Sequence, residues 1–77
     1  MVFPLCDLKA GETAQVAWII SEPAMERRLS RLGFRFGEPV TCIFKSKTAG
    51  LSAYRLHKPV VGIRQRTTRD ILVRKNT

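Results

Sequence analysis

The sequence has few of the residues that build disulfide frameworks and metal centres. It contains one histidine and two cysteines in 77 residues, and the cysteines are not arranged as a CxxC pair. In a reducing compartment Cys6 and Cys42 are therefore expected to be buried thiols. A structural zinc site uses four ligands that usually come in close sequence pairs, whereas Cys6, Cys42 and His57 are widely separated. We expect no metal site and no cofactor.

The sequence also lacks the usual signs of catalysis and of membrane insertion. No serine or cysteine has a histidine in its sequence neighbourhood, and no glycine-rich phosphate loop is present. No apolar run approaches the roughly 18–20 residues that span a bilayer. Residues 1–5 have neither a basic segment nor a long apolar one, as a signal peptide would. We expect a cytoplasmic protein with no enzymatic activity, no catalytic residues and no membrane insertion.

Positive charge is abundant and unevenly distributed. The net charge is +8, yet residues 1–44 hold five basic and five acidic side chains, which cancel. Residues 45–77 hold nine basic side chains and one acidic side chain, Asp70, and so carry the whole excess. Such asymmetry indicates attraction to an acidic protein surface, an anionic lipid or a nucleic acid.

Alternating apolar residues predict several short strands. The predicted strands are residues 13–20, Pro39–Lys45, 52–57, Val60–Arg64 and 71–73. The side chains predicted to point inward are Ala14, Val16, Trp18 and Ile20 in the first strand, and Val40, Cys42 and Phe44 in the second. Residues 46–51, which include Gly50, are predicted to form a hairpin loop.

One short helix is predicted after the first of these strands. Ser21 is a favourable N-cap, and proline at position 23 is tolerated in the first turn. Met25, Leu29 and Leu32 form one apolar stripe, and Gly33 is expected to end the helix in a left-handed conformation. About five strands and one helix in so short a chain predict a mainly β fold. We expect a small barrel, since closure removes exposed strand edges.

Several motifs along the chain resemble the FeoA family. They are Leu5-x-x-Leu8-x-x-Gly11, Val16, the run RRLSRLGFRFGEPV from Arg27 to Val40, Ile63-Arg64 and Ile71-x-Val73. The resemblance implies an SH3-like barrel of about five strands, with a short α-helical insertion after the first strand, and residues 1–77 as a single FeoA-like domain. It also implies an accessory role in bacterial ferrous iron uptake beside FeoB, the membrane GTPase permease for ferrous iron.

Four arginines in and after the helix are the candidate partner-binding residues. They are Arg27, Arg28, Arg31 and Arg35. Arginine pairs bidentately with carboxylates, so this set could present a cationic ridge to an acidic surface of FeoB. The alternative is a solvated helix face with local pairs such as Glu26 with Arg27.

Two other functions compete with that of an interaction module. Small basic barrels bind nucleic acids, and Tyr54 lies amid basic residues, but single-strand binders need several exposed aromatic platforms. Phe34, Phe36 and Phe44 are expected to pack in the core or in turns, so no nucleic acid is expected as a partner. A module that senses a transition metal directly is the other alternative.

Overall fold

Six short strands form one antiparallel sheet in a computed structural model, which describes residues 1–48, 50–57 and 59–75. The strands are β1 (Val2–Pro4), β2 (Thr13–Ile19), β3 (Pro39–Lys45), β4 (Leu51–Arg55), β5 (Val60–Arg64) and β6 (Ile71–Arg74). Helix α1 (Pro23–Leu32) joins β2 to β3, and helix α2 (Gln65–Thr68) joins β5 to β6. The chain is thus mainly β, and the bounds of β3 and β5 are those predicted from the sequence.

The first strand of the sheet was not predicted. β1 has only three residues and ends in proline, so it is too short to show an alternating pattern. It pairs with β6 at the far end of the chain, with Phe3 opposite Val73. Helix α1 follows β2, the strand predicted over residues 13–20, which is the second strand in chain order because β1 precedes it.

The described strands do not close into a barrel. Their order is β1-β6-β2-β3-β4-β5, which leaves β1 and β5 as edges among the described residues. The prediction that the strands close into a barrel is therefore wrong. A 3₁₀ turn, Leu5–Asp7, directly follows β1, and it contacts α2, which directly follows β5. The 3₁₀ turn and α2 thus pack together beyond the two edge strands. β1 and β5 do not pair with each other, because the chain leaves the extended conformation after each of them.

A bulge in β2 changes which side chains reach the core. The register of β2 against β6 shifts between Val16 and Trp18. An extra residue in one strand reverses the alternation beyond it. Ala14 and Val16 are buried as predicted, whereas the prediction of inward positions for Trp18 and Ile20 is wrong: 54% of Trp18 and 60% of Ile20 is exposed.

The aromatic residues are distributed differently from the prediction. Phe34 is buried as expected, but Phe36 lies 78% exposed in the turn before β3. A second register shift, between Cys42 and Phe44, leaves the Phe44 side chain outside the core. Tyr54, in contrast, lies on β4 and is fully buried in the core. Burial raises the pKa of its phenol.

Helix α1 ends at Leu32, as the sequence predicts. It begins at Pro23, one residue later than the predicted N-cap at Ser21 implies. Glu22 is the N-cap residue and forms no capping hydrogen bond through its side chain, so the prediction for Ser21 is wrong. Leu29 is buried in the core. Gly33 has φ = 117°, and the Phe34 N–H donates to the Leu29 carbonyl over 3.0 Å. The left-handed glycine that ends the helix is therefore confirmed.

Cys42 packs within the core and Cys6 at its margin. The core consists of buried residues from every strand except β1, joined by the residues around the 3₁₀ turn and by α1. Cys42 is fully buried, while Cys6 is half-buried. Burial raises the pKa of both thiols, so both stay protonated near neutral pH.

Candidate docking grooves

The position of Leu29 in the core determines where the other α1 side chains lie. Successive residues of an α-helix are rotated by about 100°, so Met25 and Leu32 flank Leu29 on one side and Glu26 on the other. Arg28 lies at the outer limit of the first flank. Arg27 and Arg31 each lie about 160° from Leu29, which places them on the outer face of the helix. Helix α1 therefore presents two different flanks to the sheet.

The first flank borders a groove that carries positive charge, which we call the cationic groove. It has a volume of about 360 Å³ and lies between α1, β5 and the start of α2. Its residues are Met25, Arg28, Leu29 and Leu32 of α1, Leu51 of β4, and Gly62, Ile63, Arg64, Arg66 and Thr67. Apolar surface is accessible here, since 38% of Leu32 and 42% of Leu51 is exposed.

Three arginines from separate elements meet at the cationic groove. Arg28 comes from α1, Arg64 from the end of β5 and Arg66 from α2. No acidic residue lines the groove, and none of these guanidinium groups has a carboxylate within 4.0 Å among the described residues. Guanidinium groups without an internal partner remain free to pair bidentately with carboxylates. The groove therefore combines apolar contact area with an uncompensated cationic border.

The second flank borders a groove with exposed aromatic side chains, the aromatic groove. Its volume is about 380 Å³, and it lies between α1, β2 and the turn before β3. Trp18 and Phe36 line it above the buried ring of Phe34. Glu26 and Arg35 both line it, so its ionisable groups include one of each sign. This groove therefore has less net charge along its lining than the cationic groove.

The four arginines predicted to bind a partner are divided between the two grooves and the outer face of α1. Arg28 lines the cationic groove and Arg35 lines the aromatic groove, while Arg27 and Arg31 line neither. All four are exposed, and the suggested pair of Glu26 with Arg27 is not formed in the described structure. The sequence pattern alone does not indicate that Arg64 and Arg66 line the same groove as Arg28. The available signal was the positive excess of residues 45–77.

Potential metal ligands are dispersed. Within residues 1–48, 50–57 and 59–75, no group of three His, Cys, Asp or Glu side chains could hold a metal ion. His57 is exposed and shares a shallow depression with Glu38 and Arg35. Over the same part of the chain, no helix is long and apolar enough to cross a membrane.

Comparison with models of known protein families identifies one match to this chain. A model of the FeoA domain matches residues 3–75, which is nearly the whole chain. The chain belongs to the FeoA domain family. Membership confirms the resemblance seen in the motifs and associates the chain with ferrous iron transport. A search of curated protein sequences found no match.

Solved structures share this fold at low sequence identity. The FeoA protein of Chlorobium tepidum has 25% identity and a TM-score of 0.89, with 97% of this chain and 71% of that chain covered. A zinc complex of Stenotrophomonas maltophilia FeoA, described as an SH3 domain protein, has 24% identity and a TM-score of 0.78, with 92% and 88% covered. A manganese-dependent transcriptional repressor has 20% identity and a TM-score of 0.88, with 97% of this chain but only 42% of the repressor covered.

Proposed function

We propose that this FeoA-family chain is a non-enzymatic, cytoplasmic interaction module of the bacterial ferrous iron uptake system. In this proposal residues 1–77 form one domain that docks on the cytoplasmic part of FeoB and modulates transport. Family membership supports the link to iron transport. The description of the Stenotrophomonas maltophilia FeoA as a candidate activating factor for ferrous iron transport supports a regulatory role.

The cationic groove is the observation on which the docking proposal rests. Arg28, Arg64 and Arg66 surround exposed apolar surface and have no carboxylate partner in the described structure. Protein interfaces combine an apolar centre with arginine-rich contacts, and complementary charge accelerates association. An acidic segment or surface of FeoB with a few apolar side chains fits this groove. The aromatic groove, with Glu26 beside Arg35, offers less charge complementarity.

The structure gives little support to the alternative of nucleic-acid binding, because the aromatic residue expected to stack on a base is not accessible. Tyr54 is fully buried, so it cannot stack on a base. The exposed rings of Trp18 and Phe36 border the groove that contains Glu26, a carboxylate that would repel phosphate. The arginines of the cationic groove are flanked by leucine and methionine side chains, which give no stacking platform of the kind used by single-strand binders.

The docking proposal is tested by comparing two double variants that remove equal charge. Arg28→Gln with Arg64→Gln removes two of the three positive charges of the cationic groove, and Arg27→Gln with Arg31→Gln removes two positive charges from the outer face of α1. Association with the purified cytoplasmic domain of the cognate FeoB is measured by surface plasmon resonance at two ionic strengths. We expect the groove variant to associate about tenfold more slowly than wild type at low salt, because long-range attraction governs the encounter rate.

The outer-face variant is the matched control for charge and for helix propensity. It should associate within about twofold of wild type, since its residues lie away from the groove. Melting temperatures of both variants should stay close to that of wild type. A larger loss in the outer-face variant would move docking to Arg27 and Arg31. No association of the wild-type chain at either ionic strength would refute the proposal that it docks on FeoB.

A further inference from the structure

Strand β5 has one unpaired edge that faces the cationic groove. β5 is the last strand of the sheet and pairs only with β4 among the described residues. Two backbone hydrogen bonds identify the hydrogen-bonded pairs: Gln65 N–H donates to the Gly50 carbonyl over 2.8 Å, and Leu56 N–H donates to the Pro59 carbonyl over 3.0 Å. Hydrogen-bonded and non-hydrogen-bonded pairs alternate along an antiparallel ladder. The odd-numbered residues of β5 therefore bond to β4.

The even-numbered residues of β5 direct their backbone groups away from β4. By this alternation the N–H and C=O groups of Val60 and Gly62, and the N–H of Arg64, face outward from the sheet. The backbone hydrogen bonds found among the described residues give none of these groups a partner. A run of unpaired donors and acceptors at a sheet edge is a template for another strand.

The groove is open along this edge. Gly62, Ile63 and Arg64 all line it, although Ile63 points to the core and its two neighbours point to the opposite face. The main chain of β5 at these three residues therefore borders the groove. Gly62 contributes backbone alone, and a β-carbon built there would have no atom within 4 Å. The face of β5 that carries Gly62 is therefore open.

We propose that the partner contributes an extended acidic segment that adds to β5 as a further antiparallel or parallel strand. This inference rests on the proposed docking function and specifies how the groove is used. Apolar side chains of the segment would continue the face of Ile63 toward Met25 and Leu32, and carboxylates would continue the face of Arg64 toward Arg66. Main-chain hydrogen bonds provide affinity in this binding mode and side-chain pockets provide specificity.

Charge argues for an acidic partner and against a second copy of the chain. The net charge is +8, and Arg64 lies on the edge itself, so two β5 strands side by side would bring like charges together. Charged residues at sheet edges commonly prevent such self-association. The same arginines attract a segment of opposite charge.

The test uses a synthetic probe and so does not depend on FeoB. The probe is a capped heptapeptide of alternating valine and glutamate, titrated into the ¹⁵N-labelled chain at low salt and followed by NMR. We expect saturable shifts and slower hydrogen exchange at the amides of Gly62 and Arg64, which gain partners, while the amide of Ile63 is already bonded to β4. The same peptide with N-methyl groups on alternate amides should bind about tenfold more weakly, because each lost backbone bond leaves a polar group unpaired.

Two variants at one position separate backbone pairing from side-chain attraction. Gly62→Pro removes an outward N–H without breaking the β4 ladder, and proline is tolerated at sheet edges. Gly62→Ala is the matched control, because it keeps the N–H and its β-carbon meets open space. We expect the proline variant to bind the peptide about tenfold more weakly than the alanine variant.

The outcomes distinguish strand addition from docking in general. Equal binding of both variants, with unprotected Gly62 and Arg64 amides in wild type saturated with peptide, would overturn strand addition and leave side-chain docking on FeoB intact. Protection of these amides that rises with protein concentration in the absence of peptide would overturn the acidic segment in favour of a second copy. If Gly62→Pro fails to fold, the exchange rates in the wild-type chain decide the question alone.

Discussion

Replacement of Gly33 by alanine should destabilise the protein for two separate physical reasons. Gly33 has φ = 117°, which L-residues rarely adopt, and the left-handed region costs a residue with a β-carbon about 1–2 kcal/mol. The added β-carbon would also lie 3.2 Å from Leu56 Cδ1 and 3.4 Å from Leu56 Cβ. Leu56 is buried in the core, so its side chain has little room to move. Crowding of a packed core typically adds about 1–3 kcal/mol.

The chain contains its own controls for these two effects. Gly37 has φ = 82°, but a β-carbon there would meet no atom within 4 Å. Gly37→Ala should therefore lower the free energy of unfolding only by the cost of the left-handed conformation, about 1–2 kcal/mol. Gly62 has neither a positive φ nor a close neighbour, so Gly62→Ala should be neutral or slightly stabilising. For a domain of this size 1 kcal/mol corresponds to roughly 4–8 °C in Tm. Gly33→Ala should therefore lower Tm by about 10 °C or more.

The three variants are compared by urea denaturation and thermal melting followed by circular dichroism. The expected order of stability is Gly62→Ala, then Gly37→Ala, then Gly33→Ala. Equal losses for Gly33→Ala and Gly37→Ala would show that Leu56 yields without cost. A loss at Gly33 no greater than that at Gly62 would refute the assignment of the helix end.

Two further predictions concern the carboxylate of Glu12 and the core side of α1. Glu12 accepts hydrogen bonds from Lys75 Nζ and from the Lys9 N–H, which lower its pKa below its ordinary value of 4.5. The ionised Glu12 carboxylate therefore stabilises the native state above that value, and this stability is lost as pH falls through the pKa of Glu12 in the folded protein. Glu12→Gln lacks this titrating group. Its urea midpoint should therefore change less between pH 7 and pH 3.5 than that of wild type. Leu29→Ala, at a fully packed position, should cost about 2–5 kcal/mol in urea denaturation, whereas Leu32→Ala, on the groove, should cost clearly less. Identical pH profiles, or equal losses at the two leucines, would contradict these assignments.

Local patterns in the sequence were sufficient where a single element determined its own structure. β3 and β5 have the predicted bounds because a proline, Pro39 or Pro59, marks the start of each apolar run. Gly33 ends α1 because no other residue nearby takes a left-handed conformation at low cost.

The errors arose where neighbouring strands determined the structure. The bulge after Val16 has no glycine or proline to mark it, and it turned Trp18 outward. The expected barrel assumed that short strands close on themselves, whereas β1 ends after three residues and the chain turns into a 3₁₀ segment.

The candidate site was only partly accessible from the sequence. The sequence identifies the arginines of α1 as candidate partner-binding residues. Which of them borders the groove depends on the orientation of the helix, which places Arg28 at the groove and Arg27 and Arg31 on the outer face. The meeting of Arg28 with Arg64 and Arg66 depends on how α1 lies against β5, which is tertiary packing with no local signal. Charge asymmetry along the chain indicated the type of partner and not the surface.

We propose the cationic groove as the docking surface for FeoB. The most direct measurement is an NMR titration of the ¹⁵N-labelled chain with the unlabelled cytoplasmic domain of the cognate FeoB. We expect the largest amide changes at Arg28, Leu32, Gly62 and Arg64, and we expect these changes to weaken at high salt. Changes confined to Trp18 and Phe36 at the aromatic groove, or to Arg27 and Arg31 on the outer face of α1, would contradict this proposal.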